Sequence, residues 1–249
     1  MSDNLEELNN LKAAQAEFIS TVSHELRTPL TSIRGFADTL LTSYDLLSEE
    51  QKKKFLQIIK EQSNRLIKLT ENLLSVSKMQ GNFEKLVMKS VDITENIEKC
   101  IRIIRQKSNK NIIETFFEKN LPEILIDTDK FQQIMINLLE NAVKYSENGT
   151  IIKVKTKSCD DFITVEVSDK GIKIEDKDKE RIFEKFTRLS TVLTQKTEGS
   201  GLGLYITKTL VEKMNGKINV ESTGEETTFR ITFPISKYGD EAGLKMREK

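Results

Sequence analysis

Residues 5–79 carry two long stripes of apolar side chains at helical spacing, and this feature most limits what the chain can fold into. The first stripe consists of Phe18, Val22, Leu26, Leu30, Ile33, Ala37 and Leu40. The second stripe steps by four and three residues with one polar member, through Phe55, Ile59, Gln62, Leu66, Leu69, Leu73 and Val76. Because two amphipathic helices cannot enclose a core alone, we expect two copies to form a four-helix bundle, which predicts a homodimer. The alternative is a hairpin that packs against the C-terminal half of its own chain.

The connection between the two predicted helices is short. It runs from Thr42 to Leu47, so the helices should be antiparallel neighbours. Ser48, with Gln51 three residues later, is typical of a capping box that starts the second helix. We therefore assign residues 1–80 to a helical hairpin, and residues 81–90, which lose the heptad pattern, to a linker.

After the linker the pattern becomes that of an α/β domain, which we assign to residues 91–236. The predicted helices are Ile93–Gln106, Thr128–Tyr145 and Leu202–Met214. The predicted strands are Ile112–Phe117, Ile124–Ile126, Ile151–Lys157, Phe162–Val167, Ile218–Glu221 and Phe229–Phe233. This order predicts an α/β sandwich, a mixed sheet with helices on one face, and so an α+β fold for the whole chain. Residues 237–249 are polar, and we expect a loose tail.

Composition excludes several classes of function. The 249 residues include 39 Lys and Arg against 39 Asp and Glu, so no broad field for binding nucleic acid is expected. A single histidine excludes a His-rich metal site, and Cys100 and Cys159 are too far apart in sequence to form a CxxC motif. No apolar run is long enough to insert into a membrane. We expect a cytoplasmic protein, or the cytoplasmic part of a membrane-anchored sensor.

The only histidine, His24, faces away from the predicted bundle core. At about 100° per residue, it lies about 170° from the mean direction of the first stripe. Thr28, one turn later, shares this outward face, and Glu25 follows His24 directly. A neutral imidazole is a competent nucleophile near pH 7. An ordinary solvated histidine would occupy the same position, so position alone does not assign a function.

The segment around the histidine reads Phe18-Ile-Ser-Thr-Val-Ser-His-Glu-Leu-Arg-Thr-Pro-Leu-Thr-Ser-Ile. This string resembles the phosphoacceptor box of sensor histidine kinases from two-component signalling. The resemblance implies that His24 accepts a phosphoryl group and that Glu25 acts on the imidazole proton. It also implies that Thr28 positions water for dephosphorylation of a partner protein.

Three later segments carry residue types suited to a nucleotide. Asn137, Asn141 and Lys144 follow one helical stripe, and Tyr145 comes next, a set that suits hydrated Mg²⁺, phosphates and a base. Asp169, at the end of a predicted strand, could accept a hydrogen bond from an exocyclic amino group. A polar outer helix face and an ordinary Asx turn are the alternatives for these two segments.

The third segment, Glu198-Gly-Ser-Gly-Leu-Gly-Leu204, is rich in glycine and opens a predicted helix. Backbone N–H groups at a helix N-terminus can bind phosphate, and glycines allow a close approach. A dinucleotide fingerprint is disfavoured, because it should open the first helix of a parallel βαβ unit, whereas this segment comes late in the chain.

In order, these three segments resemble the N, G1 and G2 boxes of the histidine-kinase catalytic domain, in the wider GHKL class of ATPases. The string Arg181-Ile-Phe-Glu-Lys-Phe-Thr-Arg188, between the second and third segments, resembles the F box. The resemblance assigns Mg²⁺ to Asn141 and Asn137, and the adenine to Tyr145 and Asp169. It implies that Arg188 reaches the γ-phosphate and that residues 187–200 form a mobile lid over ATP. The other implied nucleotide-binding residues are Lys144, Gly171, Lys173, Phe183, Phe186, Gly199, Gly201, Leu202 and Gly203.

The function implied is an ATP- and Mg²⁺-dependent protein-histidine kinase that phosphorylates His24 and passes the phosphoryl group to an aspartate of a response-regulator receiver domain. Phosphatase activity toward that regulator is also expected. Hydrolytic members of the wider class carry Glu where Asn137 stands, and an amide cannot activate water as a base, which disfavours a DNA-repair or topoisomerase-like ATPase. Lys173 replaces the second glycine of the G1 box, so a degenerate kinase that serves as a dimeric nucleotide-binding scaffold remains the alternative.

Overall fold

The computed structural model describes residues 2–81, 85–189 and 199–235, with side chains from residue 18 onward except that of Gln80. The predicted tail at 237–249, and the part of the predicted lid between 190 and 198, lie outside these residues. The chain divides into two compact units, Met1–Ser77 and Lys78–Lys249. We describe each unit by itself.

The first unit is a helical hairpin. Helix α1 spans Ser2–Thr42 and continues through Pro29, a short 3₁₀ turn covers Tyr44–Leu46, and helix α2 spans Glu49–Gln80. The predicted capping box is present before α2: the Ser48 N–H donates to Gln51 Oε1 at 2.9 Å, and the Gln51 N–H donates to Ser48 Oγ at 3.2 Å. These bonds satisfy two backbone donors and fix where α2 begins.

The hairpin leaves apolar side chains uncovered. The Phe36 and Phe55 rings pack between the helices with centroids 5.1 Å apart. Leu30, placed by its spacing in the predicted core stripe, is 54% exposed in the single chain, whereas its neighbour Pro29 is buried. The apolar face is therefore wider than one partner helix covers. Other exposed large apolar side chains of the two helices are Ile19, Leu41, Leu56, Ile67 and Leu74.

The second unit combines helices with a mixed sheet, as predicted. Its helices are α3 (Ile93–Lys107), α4 (Thr128–Tyr145) and α5 (Gly203–Lys213). Its strands are β1 (Lys89–Val91), β2 (Ile112–Phe117), β3 (Ile124–Ile126), β4 (Ile151–Cys159), β5 (Phe162–Asp169), β6 (Lys217–Ser222) and β7 (Thr227–Pro234). Single 3₁₀ turns cover Asp176–Asp178 and Arg181–Phe183.

The main sheet has the strand order β2-β4-β5-β7-β6. Strands β2 and β4 are parallel, and the other neighbours are antiparallel. Alternate residues on one face are buried, including Val154, Val165 and Ile231, whereas Lys155, Glu166 and Arg230 occupy the other face. Helix α4 packs on the apolar face, where Phe131 meets Phe233 edge-on at 6.0 Å. The sheet therefore has one core face and one charged face.

The entry into the second unit is tied to the start of α4. Strand β1 pairs antiparallel with β3, so the last two residues of the predicted linker, at 89 and 90, belong to a strand. Asp127 caps α4 by accepting from the Asp129 and Lys130 N–H groups, and its other oxygen accepts from the Val87 N–H at 2.8 Å. One carboxylate thus anchors both the incoming chain and the helix that carries the predicted N box.

Candidate functional site

The histidine lies on the exposed face of α1, as its helical angle predicts. His24 and Thr28 are both exposed, and they are one turn apart. The Thr28 hydroxyl donates to the His24 backbone carbonyl at 3.3 Å, which holds the threonine side chain against the helix beside the histidine. The imidazole is therefore open to a bulky reactant, and Thr28 stands on the same side.

Glu25 has a partner that the sequence analysis did not find. Arg65 Nη2 on α2 lies 3.4 Å from Glu25 Oε2, and both side chains are about one-fifth exposed, at 21% and 20%. The pair joins α1 to α2 immediately beside His24. The residue predicted to act on the imidazole proton is thus held by a guanidinium in this structure.

The predicted N-box residues lie along α4 and meet the glycine-rich segment. Asn137 Nδ2 donates to Thr207 Oγ1 on α5 at 2.8 Å, and a Cβ added at Gly203 would overlap Asn137 Oδ1. Asn141, one turn later, is partly exposed, and no hydrogen bond of its side chain is recorded within the described residues. The start of α5 therefore lies directly against the amide row of α4.

Lys144 reaches the beginning of the same glycine-rich segment. A Cβ added at Gly199 would stand 2.6 Å from Lys144 Nζ. The same ammonium donates to Tyr145 Oη at 2.9 Å and lies 4.5 Å from the centre of that ring. The Lys144 ammonium, the Tyr145 ring and the glycine backbone at Gly199 therefore lie close together.

Asp169 is a buried carboxyl at the end of β5. It is 4% exposed, and it accepts a hydrogen bond from Ser146 Oγ at 3.3 Å and another from the Gly171 N–H. Burial raises the pKa of Asp169 to about 7, and these hydrogen bonds only partly oppose that rise. Gly171 has no room for a Cβ, which would overlap Asp169 Oδ1 and stand 2.9 Å from the Tyr145 carbonyl oxygen. Tyr145, Asp169 and Gly171 therefore line one part of the site.

Gly201 and Phe186 are joined through their backbones. The Phe186 N–H donates to the Gly201 carbonyl at 3.0 Å, and a Cβ at Gly201 would stand 2.6–2.9 Å from Phe186 backbone atoms. Gly201 has φ +69°, and Phe186 has φ 61°, an uncommon conformation for a bulky residue. This contact connects the predicted F box to the predicted G2 box.

Lys173 fits its position without the expected backbone strain. Among the described non-glycine residues, positive φ occurs at Asn120, Asp160, Phe186 and Asn215, and not at Lys173. The loop around it is anchored on both sides: the Ile174 N–H donates to Ser222 Oγ at 3.0 Å, and Thr227 Oγ1 donates to the Ile172 carbonyl at 2.9 Å. The Lys173 side chain is exposed. The replacement of glycine therefore adds a charge and does not distort the turn.

Two predicted nucleotide-binding residues have buried side chains. Phe183 is buried and packs edge-on against Phe229 at 6.5 Å, and Leu202 is fully buried just before α5. Each side chain points into the packed interior of the second unit, so it supports the site from the core. Arg188 is exposed and lies next to the end of the described range 85–189.

The donor set suits Mg²⁺ bound together with phosphates. The described residues contain no group of three or more His, Cys, Asp or Glu side chains that could hold a metal. Because Mg²⁺ prefers oxygen ligands and usually keeps several waters and substrate phosphates, amide oxygens of Asn137 and Asn141 are sufficient protein ligands. Cβ atoms added at Gly171, Gly199 and Gly203 would overlap Asp169, Lys144 and Asn137, so the glycine backbone lies close to these three predicted nucleotide-binding residues.

The sequence did not point to three residues that contact predicted functional residues: Arg65 in the first unit, and Ser146 and Thr207 in the second. Ser146 directly follows the predicted N box, so its position next to that motif could have identified it as a candidate. Thr207 and Arg65 meet their partners 70 and 40 residues away in sequence, and no local pattern marks such contacts.

Comparison with known proteins gives a consistent assignment for both units. The family described as His Kinase A (phospho-acceptor) domain matches residues 14–82. The family described as Histidine kinase-, DNA gyrase B-, and HSP90-like ATPase matches residues 126–237. The sensor protein kinase WalK of Staphylococcus saprophyticus is 34% identical over 241 residues, which cover 94% of this chain and 39% of WalK. The chain belongs to the sensor histidine kinase family.

This chain matches only part of each of eight curated histidine kinases. The chain spans 27% to 57% of the lengths of the eight relatives compared. Within its described residues, no helix is both long enough and apolar enough to cross a membrane.

Solved structures of histidine kinases share the fold. Histidine kinase ThkA, in complex with response regulator protein TrrA, has a TM-score of 0.74 at 24% identity, over 92% of this chain and 64% of that chain. Full-length ShkA in complex with AMPPNP has a TM-score of 0.65 at 26% identity, over 89% of this chain and 46% of that chain. The helical hairpin followed by a mixed sheet with helices is thus the architecture of this histidine kinase family member.

Proposed function

We propose that the protein is an ATP-dependent protein-histidine kinase that phosphorylates His24. The observation that carries this proposal is the convergence, in the second unit, of four separate segments: the amide row of α4, the buried Asp169, the backbone of Phe186 and the glycines before α5. The same chain carries its single histidine exposed on α1.

The proposed reaction transfers the γ-phosphoryl group of ATP to an imidazole nitrogen of His24. A bond forms between that nitrogen and the γ-phosphorus, the bond to the β,γ-bridging oxygen breaks, and ADP leaves with the electron pair. Glu25, once released from Arg65, accepts the imidazole proton. Exposure of His24 is required, because the nucleophile has to meet a large nucleotide with its reacting atoms in line.

The chain's own residues bind and orient the nucleotide. Asp169 accepts a hydrogen bond from the adenine amino group, Tyr145 packs on the base, and Lys144 meets the phosphates together with the N–H groups near Gly199 and Gly203. Mg²⁺, bound through Asn137 and Asn141, neutralises phosphate charge when present. Arg188 is exposed, and by resemblance to the family it would contact the γ-phosphate.

Asn137 favours a kinase over a hydrolase. Its amide nitrogen is already bonded to Thr207, and an amide cannot remove a proton from water. The site is therefore suited to hold ATP until an external nucleophile arrives, and His24 supplies one. The absence of backbone strain at Lys173 also favours a competent kinase over a degenerate scaffold.

We extend the proposal to the partners of the kinase. The uncovered apolar stripe of the hairpin supports a homodimer with a four-helix bundle, and the ThkA–TrrA complex supports a response-regulator receiver as the next acceptor in a phosphorelay. Thr28 stands beside His24 and can orient water, which supports phosphatase activity toward the phosphorylated regulator. These activities require ATP and a receiver domain, and they belong in the cytoplasm.

The proposal is tested with γ-labelled ATP and Mg²⁺. Wild-type chain should acquire acid-labile, base-stable label, and His24→Ala should acquire none, because no other histidine is present. Nucleotide binding without label would indicate a scaffold, and steady phosphate release without labelled protein would indicate an ATPase.

The same assay shows which subunit's histidine is used. His24→Ala and Asn141→Ala chains are inactive alone under the proposal. Label in their mixture would demonstrate transfer between subunits. An unlabelled mixture, with wild type active and heterodimer formation verified, would demonstrate transfer within one subunit.

A further inference from the structure

A buried hydroxyl on α5 holds the amide of Asn137. Thr207 is 1% exposed, and its Oγ1 accepts a hydrogen bond from Asn137 Nδ2 at 2.8 Å. The bond joins α4 to α5 in the half-buried region where the predicted phosphate end of the site lies. The Thr207 hydroxyl is buried and requires a partner, which the half-buried amide of Asn137 supplies.

The same helix restrains the other side of the amide. Gly203 lies four residues before Thr207, on the same face of α5. A side chain at Gly203 would overlap Asn137 Oδ1, so the helix backbone comes close to that oxygen. In this structure the Asn137 amide lies between the two residues, with its nitrogen on Thr207 and its oxygen toward Gly203.

Orientation matters because the two ends of an amide differ in chemistry. The oxygen is a metal ligand and hydrogen-bond acceptor, whereas the NH₂ group is a donor that repels a cation. With Nδ2 engaged by Thr207, the oxygen is the end left for Mg²⁺. Thr209 offers a contrast on the same helix, because its hydroxyl donates to the Tyr205 carbonyl at 2.9 Å and reaches no other element.

We propose that Thr207 is a positioning residue of the nucleotide site: it orients the Asn137 amide so that Oδ1 serves the Mg²⁺–phosphate end of the bound nucleotide. The assignment rests on the proposed function, because it concerns the same nucleotide site. It predicts that Thr207 affects recognition of Mg²⁺ and phosphate and does not affect recognition of the adenine, which Asp169 and Tyr145 carry.

The test measures affinity for two probes, Mg-ATP and adenosine, by calorimetry. Thr207→Val keeps the shape and removes the hydroxyl, and it should weaken Mg-ATP binding about tenfold, the size of one lost hydrogen bond. Adenosine affinity should change less than about twofold. Thr207→Ser should restore Mg-ATP affinity, and the matched control Thr209→Val should behave as wild type.

Three results would overturn the assignment. These are Mg-ATP affinity of Thr207→Val equal to wild type, an equal loss for adenosine and Mg-ATP, and a Thr207→Ser chain as weak as Thr207→Val. Thermal melting checks that each variant is folded. A Thr207→Val chain that does not fold is replaced by Thr207→Cys, whose thiol is a weak acceptor, with the same expectation.

Measurements on the wild-type chain distinguish a failure of the Thr207 assignment from a failure of the proposed function. Wild type that binds Mg-ATP without labelling His24 contradicts the kinase proposal, while the comparison of Thr207 variants still decides the role of Thr207. Wild type that labels His24, with unchanged affinity in Thr207→Val, contradicts only the assignment of Thr207.

Discussion

Asp169 combines burial with a pKa of about 7, and this makes adenine binding sensitive to pH. The adenine amino group donates to the ionised carboxylate, so binding favours the charged form. Protonation below pH 7 neutralises the carboxylate and makes it a weaker acceptor, so adenosine affinity should fall up to about tenfold between pH 8 and pH 6. Adenosine is the appropriate ligand for calorimetry, because it carries no phosphate that titrates in this range.

Two variants test whether Asp169 is the group responsible for this pH dependence. Asp169→Asn should bind adenosine weakly with little dependence on pH, whereas Asp160→Asn, at the exposed β4–β5 turn, should keep the wild-type profile. A wild-type affinity that stays constant from pH 6 to pH 8 would contradict the role of Asp169. In the unliganded protein the raised pKa has the related effect that this group's contribution to stability is lost as pH rises through 7.

Gly201 is a glycine for two reasons, its φ of +69° and its approach to the Phe186 backbone. Gly201→Ala should lower the free energy of unfolding by at least about 1–2 kcal/mol from the backbone conformation alone. Urea denaturation measures this change. Gly149→Ala is the matched control, since Gly149 also has a positive φ of +80° and a Cβ there meets nothing within 4 Å. Equal effects of the two substitutions would show that the contact with Phe186 is unimportant.

The bounds of most elements of the second unit could be predicted because their signals are local. Helix α4 and strands β2 and β3 have the predicted bounds, since apolar periodicity and turn residues mark them in the sequence. Strand β1 has only three residues and exists through pairing with β3, so no periodic pattern marks it. Phe183 was predicted to bind nucleotide by its motif, although burial against Phe229 determines its position.

The ion pair between Glu25 on α1 and Arg65 on α2 leads to a prediction about the rate of His24 labelling. Arg65 competes with the His24 imidazole for Glu25, so Arg65→Met should raise the rate of His24 labelling at saturating ATP. The expected increase is about twofold to fivefold, since a partly exposed ion pair contributes up to about 1 kcal/mol. Rapid-quench labelling measures the rate.

Arg34→Met is the control for loss of one arginine from the hairpin. Arg34 pairs with Asp38 on the exposed surface of α1, where the side chain of Arg34 is 87% exposed. That substitution should leave the rate unchanged. A slower rate in Arg65→Met would indicate that Arg65 assists the transfer and does not restrain Glu25.

For the whole molecule, the uncovered apolar stripe of the hairpin predicts self-association. Ile67 on α2 is 56% exposed, and Ile67→Glu should convert a dimeric chain to monomer by placing a charge in the bundle core. Sedimentation velocity measures the change. Val87→Glu, at a residue that is 62% exposed outside the hairpin, should remain dimeric. A monomeric wild type would contradict the predicted bundle.

The spacing of the exposed apolar residues has a mechanical consequence. Ile19, Leu30 and Leu41 on α1 are eleven residues apart, and eleven residues rotate about 20° more than three full helical turns. The apolar seam of α2 repeats every seven residues, and seven residues rotate about 20° less than two full turns. An eleven-residue repeat favours a right-handed superhelix and a seven-residue repeat a left-handed one. A left-handed twist that keeps the α2 seam in line would therefore move Ile19, Leu30 and Leu41 gradually around α1, so that these three side chains would not all face one partner helix.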